Sequence, residues 1–369
     1  MKKRFLAAAI SVAAGCAVVL SACAGATQNV VSLNSNWYAD VNFKKFQPTF
    51  DSERSEKIVY AVTHDEKAAT NKTYSVKYDE GTYTTEFYTV ALGKNSDKIL
   101  DEFREGYGES TTVYCYKTEL SVPKVTFTYK GEPKVFENCD EVITESYFLS
   151  VEDRLQPVYA RQSVHSVSPN VLNATSLESS YYVYDYEYTT YYSRDGEQAV
   201  TKINGADGVS ERRASGLKGT QSTLFDATYL DVAVRANKLS PSLSQAISLY
   251  LPQSGVGEFV LQGNAMGLNE TERTDARNLL IANELFKDEK IKDENGNETD
   301  KPLNTSAVSV YYNAEFNGRP QTYWFAAVEN PRNNVSRSTL LKIQYSVPFN
   351  HGVRNYVIKE IQSNLYNGN

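Results

Sequence analysis

The sequence predicts a mainly β protein with a few short helices, an α+β chain whose main element is a large curved antiparallel sheet, half-barrel or sandwich-like. Long segments alternate apolar and polar residues with the period of two that defines a strand. Tyrosine, which favours strands, outnumbers phenylalanine 27 to 15. Turns that contain Gly or Asn separate several of these segments, as antiparallel hairpins require.

The predicted strands are rich in Tyr, Val, Thr, Phe and Ile. They cover residues 57–64, 72–78, 82–90, 111–119, 124–129 and 142–149. If 111–119, 124–130 and 134–139 form a plain three-stranded meander, the outer two strands lie at about twice the 4.8 Å spacing of neighbouring strands. The clearest hairpin joins 308–316 to 321–328 through Asn317-Gly318, because an Asn-Gly step supplies the positive φ of a tight turn.

Three segments indicate helices. A polar cap at residue 95 or 96 begins a short helix that ends at Gly106. Asn269 and Glu272 make a capping box for a helix through residue 286. Residues 226–236 fit a helix or a strand, because their β-branched side chains suit both.

Residues 205–219 and 287–302 are polar and contain glycine, which predicts exposed loops. The first is a candidate domain boundary. Asp293 and Asn297 belong to an alternation typical of calcium loops, but Gly296 falls one place early and no glutamate closes the motif. We interpret it as a solvated hairpin tip.

The chain begins with three basic residues within positions 1–4 and continues with an apolar run over 5–19, the pattern of a secretory signal. The run is shorter than the roughly 20 residues of a membrane-spanning helix. It ends in Leu20-Ser21-Ala22-Cys23, where small residues precede a cysteine at the expected cleavage position. The sequence therefore predicts export.

Leu20-Ser21-Ala22-Cys23 resembles the lipobox of bacterial lipoproteins. The resemblance implies that residues 1–22 are removed, that Cys23 carries a diacylglyceryl group, and that its amino group is acylated, with palmitate the expected fatty acid. It implies a membrane partner through this lipid, on the outer face of the cytoplasmic membrane in a Gram-positive host or on the outer membrane in a Gram-negative one. Residues 23–36 then form a flexible tether to a β-rich body over 37–369.

Composition limits the partners of the mature chain. Without residues 1–22 it has 347 residues, enough for one large β domain or two units, with 35 basic and 45 acidic side chains. A net charge of −10 gives no reason to bind nucleic acid and repels anionic lipid surfaces. No apolar run after Cys23 is long enough to span a bilayer, so the lipid is the predicted attachment.

No motif predicts catalysis, a metal site or a cofactor. His64, His165 and His351 lack paired metal-ligand spacing, and neither a C-x-x-C nor a G-x-S-x-G motif is present. We therefore expect a non-enzyme. Cys115 and Cys139 are a candidate disulfide in an oxidising compartment. A plain meander would hold them too far apart, so a bond would imply that the outer two strands pair with each other.

One strand offers a candidate ligand site. Its alternation places four phenol rings on one face, opposite Val183, Asp185 and Glu187: Tyr182, Tyr184, Tyr186 and Tyr188. Such a face suits sugars, peptides and amphiphiles. The alternative interpretation is that the rings cover the core side of a sheet.

Tyrosine-rich alternating strands behind a lipid anchor resemble half-barrel envelope lipoproteins and lipoprotein carriers. The resemblance implies a non-catalytic lipoprotein that binds or carries an amphiphilic or apolar ligand, and it predicts a pocket. The alternative is a surface structural or adhesion module that contacts an envelope protein or a glycan, with a filled core and exposed patches. A third hypothesis is an enzyme that acts on wall polymer.

Overall fold

The computed structural model describes residues 56–66, 73–151, 154–171, 174–205, 208–217, 224–235, 244–252, 254–312, 320–329 and 336–363. Four predicted features lie outside these residues: the signal segment, the lipidation of Cys23, the tether and the turn at Asn317-Gly318.

Twenty strands occur in the described part of the chain. The first ten are β1 (Glu56–Asp65), β2 (Tyr74–Tyr78), β3 (Gly81–Leu92), β4 (Thr111–Ser121), β5 (Lys124–Tyr129), β6 (Glu132–Glu137), β7 (Glu141–Val151), β8 (Arg154–Pro169), β9 (Tyr181–Tyr192) and β10 (Gln198–Gly205). The others are β11 (Gly208–Ser215), β12 (Leu224–Asp226), β13 (Ser244–Leu251), β14 (Gly255–Asn264), β15 (Lys290–Lys292), β16 (Glu298–Asp300), β17 (Thr305–Tyr312), β18 (Gln321–Glu329), β19 (Ser336–Ser346) and β20 (Val353–Ser363).

Fifteen strands form one sheet in the order β11-β10-β9-β8-β7-β4-β3-β1-β20-β19-β18-β17-β14-β13-β12. Neighbours are antiparallel except β12 and β13, which are parallel. The protein is therefore mainly β with a large antiparallel sheet, and the predicted fold class is confirmed. The predicted hairpin partners, β17 and β18, pair as expected.

The sheet curves until its two ends meet through side chains rather than backbone hydrogen bonds. Arg212 on β11 donates to the Ser254 carbonyl at 2.9 Å. The Thr201 hydroxyl on β10 lies 3.1 Å from the Tyr250 hydroxyl on β13. The result is a barrel-like sheet that is open in its hydrogen-bonding pattern.

The plain meander of 111–119, 124–130 and 134–139 does not form. β4 pairs with β3 and β7 in the large sheet, whereas β5 pairs with β2 and β6 in a separate three-stranded sheet. The chain leaves the large sheet after β4 and returns at β7, where the Val122 N–H donates to the Asp140 carbonyl at 3.1 Å. β5 and β6 thus lie outside the large sheet and pair with β2 instead. The small sheet is attached to the main core through Tyr74, Val76 and Tyr78 of β2, which pack into it.

Two α-helices and three 3-10 helices occur among the residues that the structure describes: α1 (Leu230–Arg235), α2 (Glu270–Ala282), and the 3-10 helices Asp101–Gly106, Ala227–Tyr229 and Pro348–Asn350. The capping box of Asn269 and Glu272 is confirmed at α2. The helix ends four residues before the predicted position 286, because Glu284 adopts a left-handed φ of 56° and the Leu285 N–H bonds back to the Leu280 carbonyl. The predicted helix over 95–106 is helical only in its last six residues.

The two predicted loops contain strands. Residues 208–215 form β11, which pairs with β10, so the loop prediction is wrong there. β11 reads as a loop because it is an exposed edge strand, with Val209 75% exposed. The strands that precede and follow it belong to the same sheet. Within 287–302, β15 and β16 form an exposed hairpin, and Asp293 accepts the N–H groups of Asn295 and Asn297 at its tip, as predicted.

Candidate functional site

The four predicted ligand-binding tyrosines lie on the inner face of β9. Tyr184 and Tyr188 are only 6% and 5% exposed, whereas Val183 on the opposite face is 43% exposed. Tyr182 and Tyr186 are half-buried and pack against the same core. The face is shared as predicted, and two of its four rings belong to the core.

The hydroxyls of the two buried rings have partners on β8. Ser168 donates to the Tyr184 hydroxyl at 3.0 Å, and the Tyr188 hydroxyl donates to Gln162 Oε1. Burial raises the pKa of Tyr188 well above its usual value, so the phenol stays protonated. These bonds join β8 to β9 across the inner face, which is a structural role.

The space inside the curved sheet is occupied by residues 227–235, here called the plug. It consists of the turn Ala227–Tyr229 and helix α1. The side chains of Tyr229, Leu230, Val232 and Val234 are buried. The plug contacts β7 and β8 on one side and β18 and β19 on the other. It therefore crosses the described interior from one half of the sheet to the other.

Two aspartates attach the plug to sheet tyrosines. The Tyr192 hydroxyl donates to Asp226, immediately before the plug, while the hydroxyls of Tyr83 and Tyr116 donate to Asp231 within it. Burial raises the pKa of Asp226 above its usual value. The pKa values of Tyr83 and Tyr116 are both raised, mainly by burial and secondly by the negative charge of Asp231. Neutral phenols are thus held against buried carboxyl groups, which explains part of the tyrosine content.

A buried ion pair lies at the end of the sheet near β2. Arg354 Nη1 is 2.9 Å from Asp140 Oδ2, and Ser166 donates to Asp140 Oδ1 at 2.7 Å. The guanidinium lies over the rings of Tyr78 and Tyr356, at 4.6 and 5.6 Å from their centroids. Burial lowers the pKa of Arg354, but Asp140 and the two tyrosines together raise it by more. The net pKa is above its usual value, so the guanidinium remains a cation.

His64 acts in the same region as a neutral link between elements. Its Nδ1 accepts the Tyr78 N–H at 3.3 Å, and its Nε2 donates to the His351 carbonyl at 2.8 Å. Only a neutral ring can do both. Burial lowers the pKa of His64 and of His351. The third histidine, His165, is exposed, and the described residues contain no group of His, Cys, Asp or Glu that could hold a metal ion.

The candidate disulfide is absent: Cys115 and Cys139 are free, buried thiols. The physical reason is the sheet between them. Cys115 packs with Tyr147 and Tyr159 on the outer face, whereas Cys139 packs into the main interior core. Burial raises the pKa of Cys115 to about 11 and raises that of Cys139.

The outer face carries a row of tyrosines in direct cross-strand register. Tyr88 lies opposite Cys115, Cys115 opposite Tyr147, and Tyr147 opposite Tyr159. Part of this row is covered, because Ile99, Phe103 and Tyr107 pack on it. At the edge of these covering residues, Lys98 Nζ lies over the Tyr159 ring, 4.9 Å from its centroid.

A row of alternating charges lies beside the tyrosine row on the same face. Each member is directly opposite the next on five successive neighbours in the sheet: Lys57 on β1, Glu86 on β3, Lys117 on β4, Glu145 on β7 and Arg161 on β8. Together with Glu119 they line an open groove of about 320 Å³. This is a site that strand patterns alone did not reveal, because the row exists only once the register of five strands is known.

Among the described residues, no helix is long and apolar enough to cross a bilayer. No protein-family model and no curated protein matches the chain. Among solved structures it is similar to a β-barrel-like protein of the domain of unknown function DUF1849 from Brucella abortus. That likeness has 9% identity and a TM-score of 0.39, over 84% of this chain and 98% of the other.

Proposed function

We propose that the protein is a lipid-anchored, non-catalytic envelope protein that acts through contacts on the outside of its barrel-like sheet. This is the second of the two main hypotheses from the sequence, the surface module. The observation that carries it is the plug, which occupies the interior that a carrier would need for an apolar ligand.

The attachment of the plug supports this choice over a carrier. Asp226, just before the plug, and Asp231, in the middle of it, are bonded to separate sheet tyrosines. Ser146 and Thr228 add a third link, with 2.6 Å between their hydroxyl oxygens. To admit a ligand the plug would have to break these bonds and expose its buried apolar side chains, which costs free energy for each group left unpaired.

The outer face, unlike the apolar interior, is open to a partner. It presents charged and hydroxyl side chains around an open groove, a surface that suits a polar partner. We place this surface outside the cell membrane because of the lipobox at Cys23. Labelling with a palmitate analogue tests the anchor: the wild-type chain takes up label, and the Cys23→Ser variant does not.

Native mass spectrometry of the whole purified chain, combined with solvent extraction of non-covalent lipid, tests the choice between surface module and carrier. The acyl chains on Cys23 are covalent and stay with the protein. We expect the mass of the lipidated chain alone and no extracted amphiphile in stoichiometric amount. A retained amphiphile of defined mass would contradict the surface module and favour the carrier.

A further inference from the structure

The charges that line the outer groove differ in whether they already have partners. Lys117 Nζ lies 3.7 Å from Glu145 Oε1, and Arg161 Nη2 bonds to Glu187. Lys57, Glu86 and Glu119 form no ion pair or side-chain hydrogen bond with any described residue. The groove therefore contains one cation and two carboxylates that a ligand can use.

These three groups are arranged on neighbouring strands of one face. Lys57 stands directly opposite Glu86, which places their Cβ atoms about 5 Å apart. Glu119 stands opposite Thr84 and so is the diagonal neighbour of Glu86, about 7–8 Å away. An ammonium group can lie between the two carboxylates while a carboxylate meets Lys57.

We propose that the groove binds the zwitterionic form of a short peptide, with its free amine at Glu86 and Glu119 and its free carboxylate at Lys57. An extended chain advances about 3.3–3.6 Å per residue, so two or three residues span the distance between these charges. Charge complementarity favours this ligand class, because a neutral glycan or a fatty tail would make no ionic contact with any of the three groups.

The remaining lining suits a peptide between its two ends. Ile143 is 52% exposed in the groove and offers an apolar contact for a small side chain. The hydroxyls of Thr84 and Ser163 can bond to peptide amides and carbonyls. A volume of about 320 Å³ lies at the lower end of small-molecule sites, in keeping with a peptide of this length.

Calorimetric titration of the whole chain with trialanine tests the proposal, with N-acetyl-trialanine and trialanine amide as ligands blocked at one end. We expect trialanine to bind, and each blocked form to bind at least about tenfold more weakly because one charged contact is lost. Because the groove is open, added salt should weaken binding. Equal binding of free and blocked peptides, or no binding of trialanine, overturns the proposal.

Two variants assign the ends of the peptide. Lys57→Met should remove the preference for trialanine over its amide, and Glu86→Gln should reduce the preference over the acetylated form. Lys202→Met, an exposed outer-face lysine on β10 outside the groove, is the matched control and should bind as wild type does. Unchanged preferences in both groove variants would contradict the assignment.

The inference rests on the proposed function, but the two can fail separately. If trialanine does not bind and native mass spectrometry finds no amphiphile, the groove assignment fails and the surface module stands. If trialanine binds with the expected end preferences and an amphiphile is also retained, the groove assignment stands and the choice of module over carrier fails.

Discussion

The hydroxyl of Tyr116, on the inner face of β4, donates a hydrogen bond to the carboxylate of Asp231 in helix α1. Tyr83 on β3 donates to the same oxygen at 3.3 Å. A buried carboxylate thus receives two phenols from adjacent strands, and these bonds offset part of its desolvation. The same contact fixes the plug to the wall of the sheet.

Replacement of Tyr116 by Phe removes one donor and leaves Asp231 partly unsatisfied. We expect the free energy of unfolding to fall by about 1–3 kcal/mol, because the cost includes the desolvation of an acceptor left without its partner. Urea denaturation measures the change. Tyr129→Phe is the matched control, since its hydroxyl bonds to the Thr175 carbonyl in an exposed position. Equal losses in the two variants would contradict the special role of Asp231.

Truncation of Arg354 to Ala leaves Asp140 as a buried charge with no cation. We expect a loss of about 3–5 kcal/mol in the free energy of unfolding. Arg161→Ala breaks an exposed pair with Glu187 and should cost under about 1 kcal/mol. Thermal and urea unfolding of the two variants provide the comparison, and a loss at Arg354 no larger than that at Arg161 would count against the buried pair.

Acid should weaken the link that His64 makes. Its pKa is lowered by burial, so the unfolded chain binds the proton more readily than the folded chain. The stability that His64 contributes is therefore present above its unfolded pKa of about 6.5 and is lost as the pH falls below that value. The groups around the ring are Arg354, Asp65 and His351, with Tyr78 at its edge.

The free energy of unfolding, measured between about pH 5 and pH 7, should rise with pH in the wild type. The slope should be smaller in His64→Gln, and the part that remains includes His351, whose pKa is also lowered. An unchanged slope in His64→Gln would show that the ring does not titrate on unfolding.

The two buried thiols should react only when the protein unfolds. Burial raises the pKa of Cys115 to about 11, so little thiolate is present at pH 8. We expect iodoacetamide to label neither Cys115 nor Cys139 quickly in the native chain, and both in denaturant without a reductant. Mass spectrometry counts the labels; a pair that labels only after reduction would mean that a disulfide exists.

Local alternation was enough to predict several strands but not their partners. β1, β3, β7 and β9 alternate regularly, so their existence followed from sequence. β8 was missed because its inner face includes the buried polar residues Gln162, Ser166 and Ser168, which disguise the pattern. Pro157 also lies at the register shift between β7 and β8. The meander failed because β4 pairs with distant β7, and no local signal encodes that choice.

For the candidate sites too, local sequence predicted some features, and others required the three-dimensional structure. The period of β9 predicted that four tyrosines share a face, but a core face and a ligand face have the same composition, so their environment could not be predicted. The charged groove needed the register of five strands. Asp226 and Asp231 needed knowledge of where the plug packs, since a segment that fits helix or strand says nothing about its tyrosine partners.

A crosslink between the plug and the sheet tests the central claim, that the interior is filled and does not accept a ligand. Ser146→Cys with Thr228→Cys places two thiols where hydroxyl oxygens are 2.6 Å apart, so oxidation should join them. The measurement is the uptake of a fluorescent fatty acid by the oxidised and the reduced forms of this variant. We expect no uptake by either form. Uptake by the reduced form that oxidation abolishes would contradict the account, because the plug would then be a gate to an interior binding site.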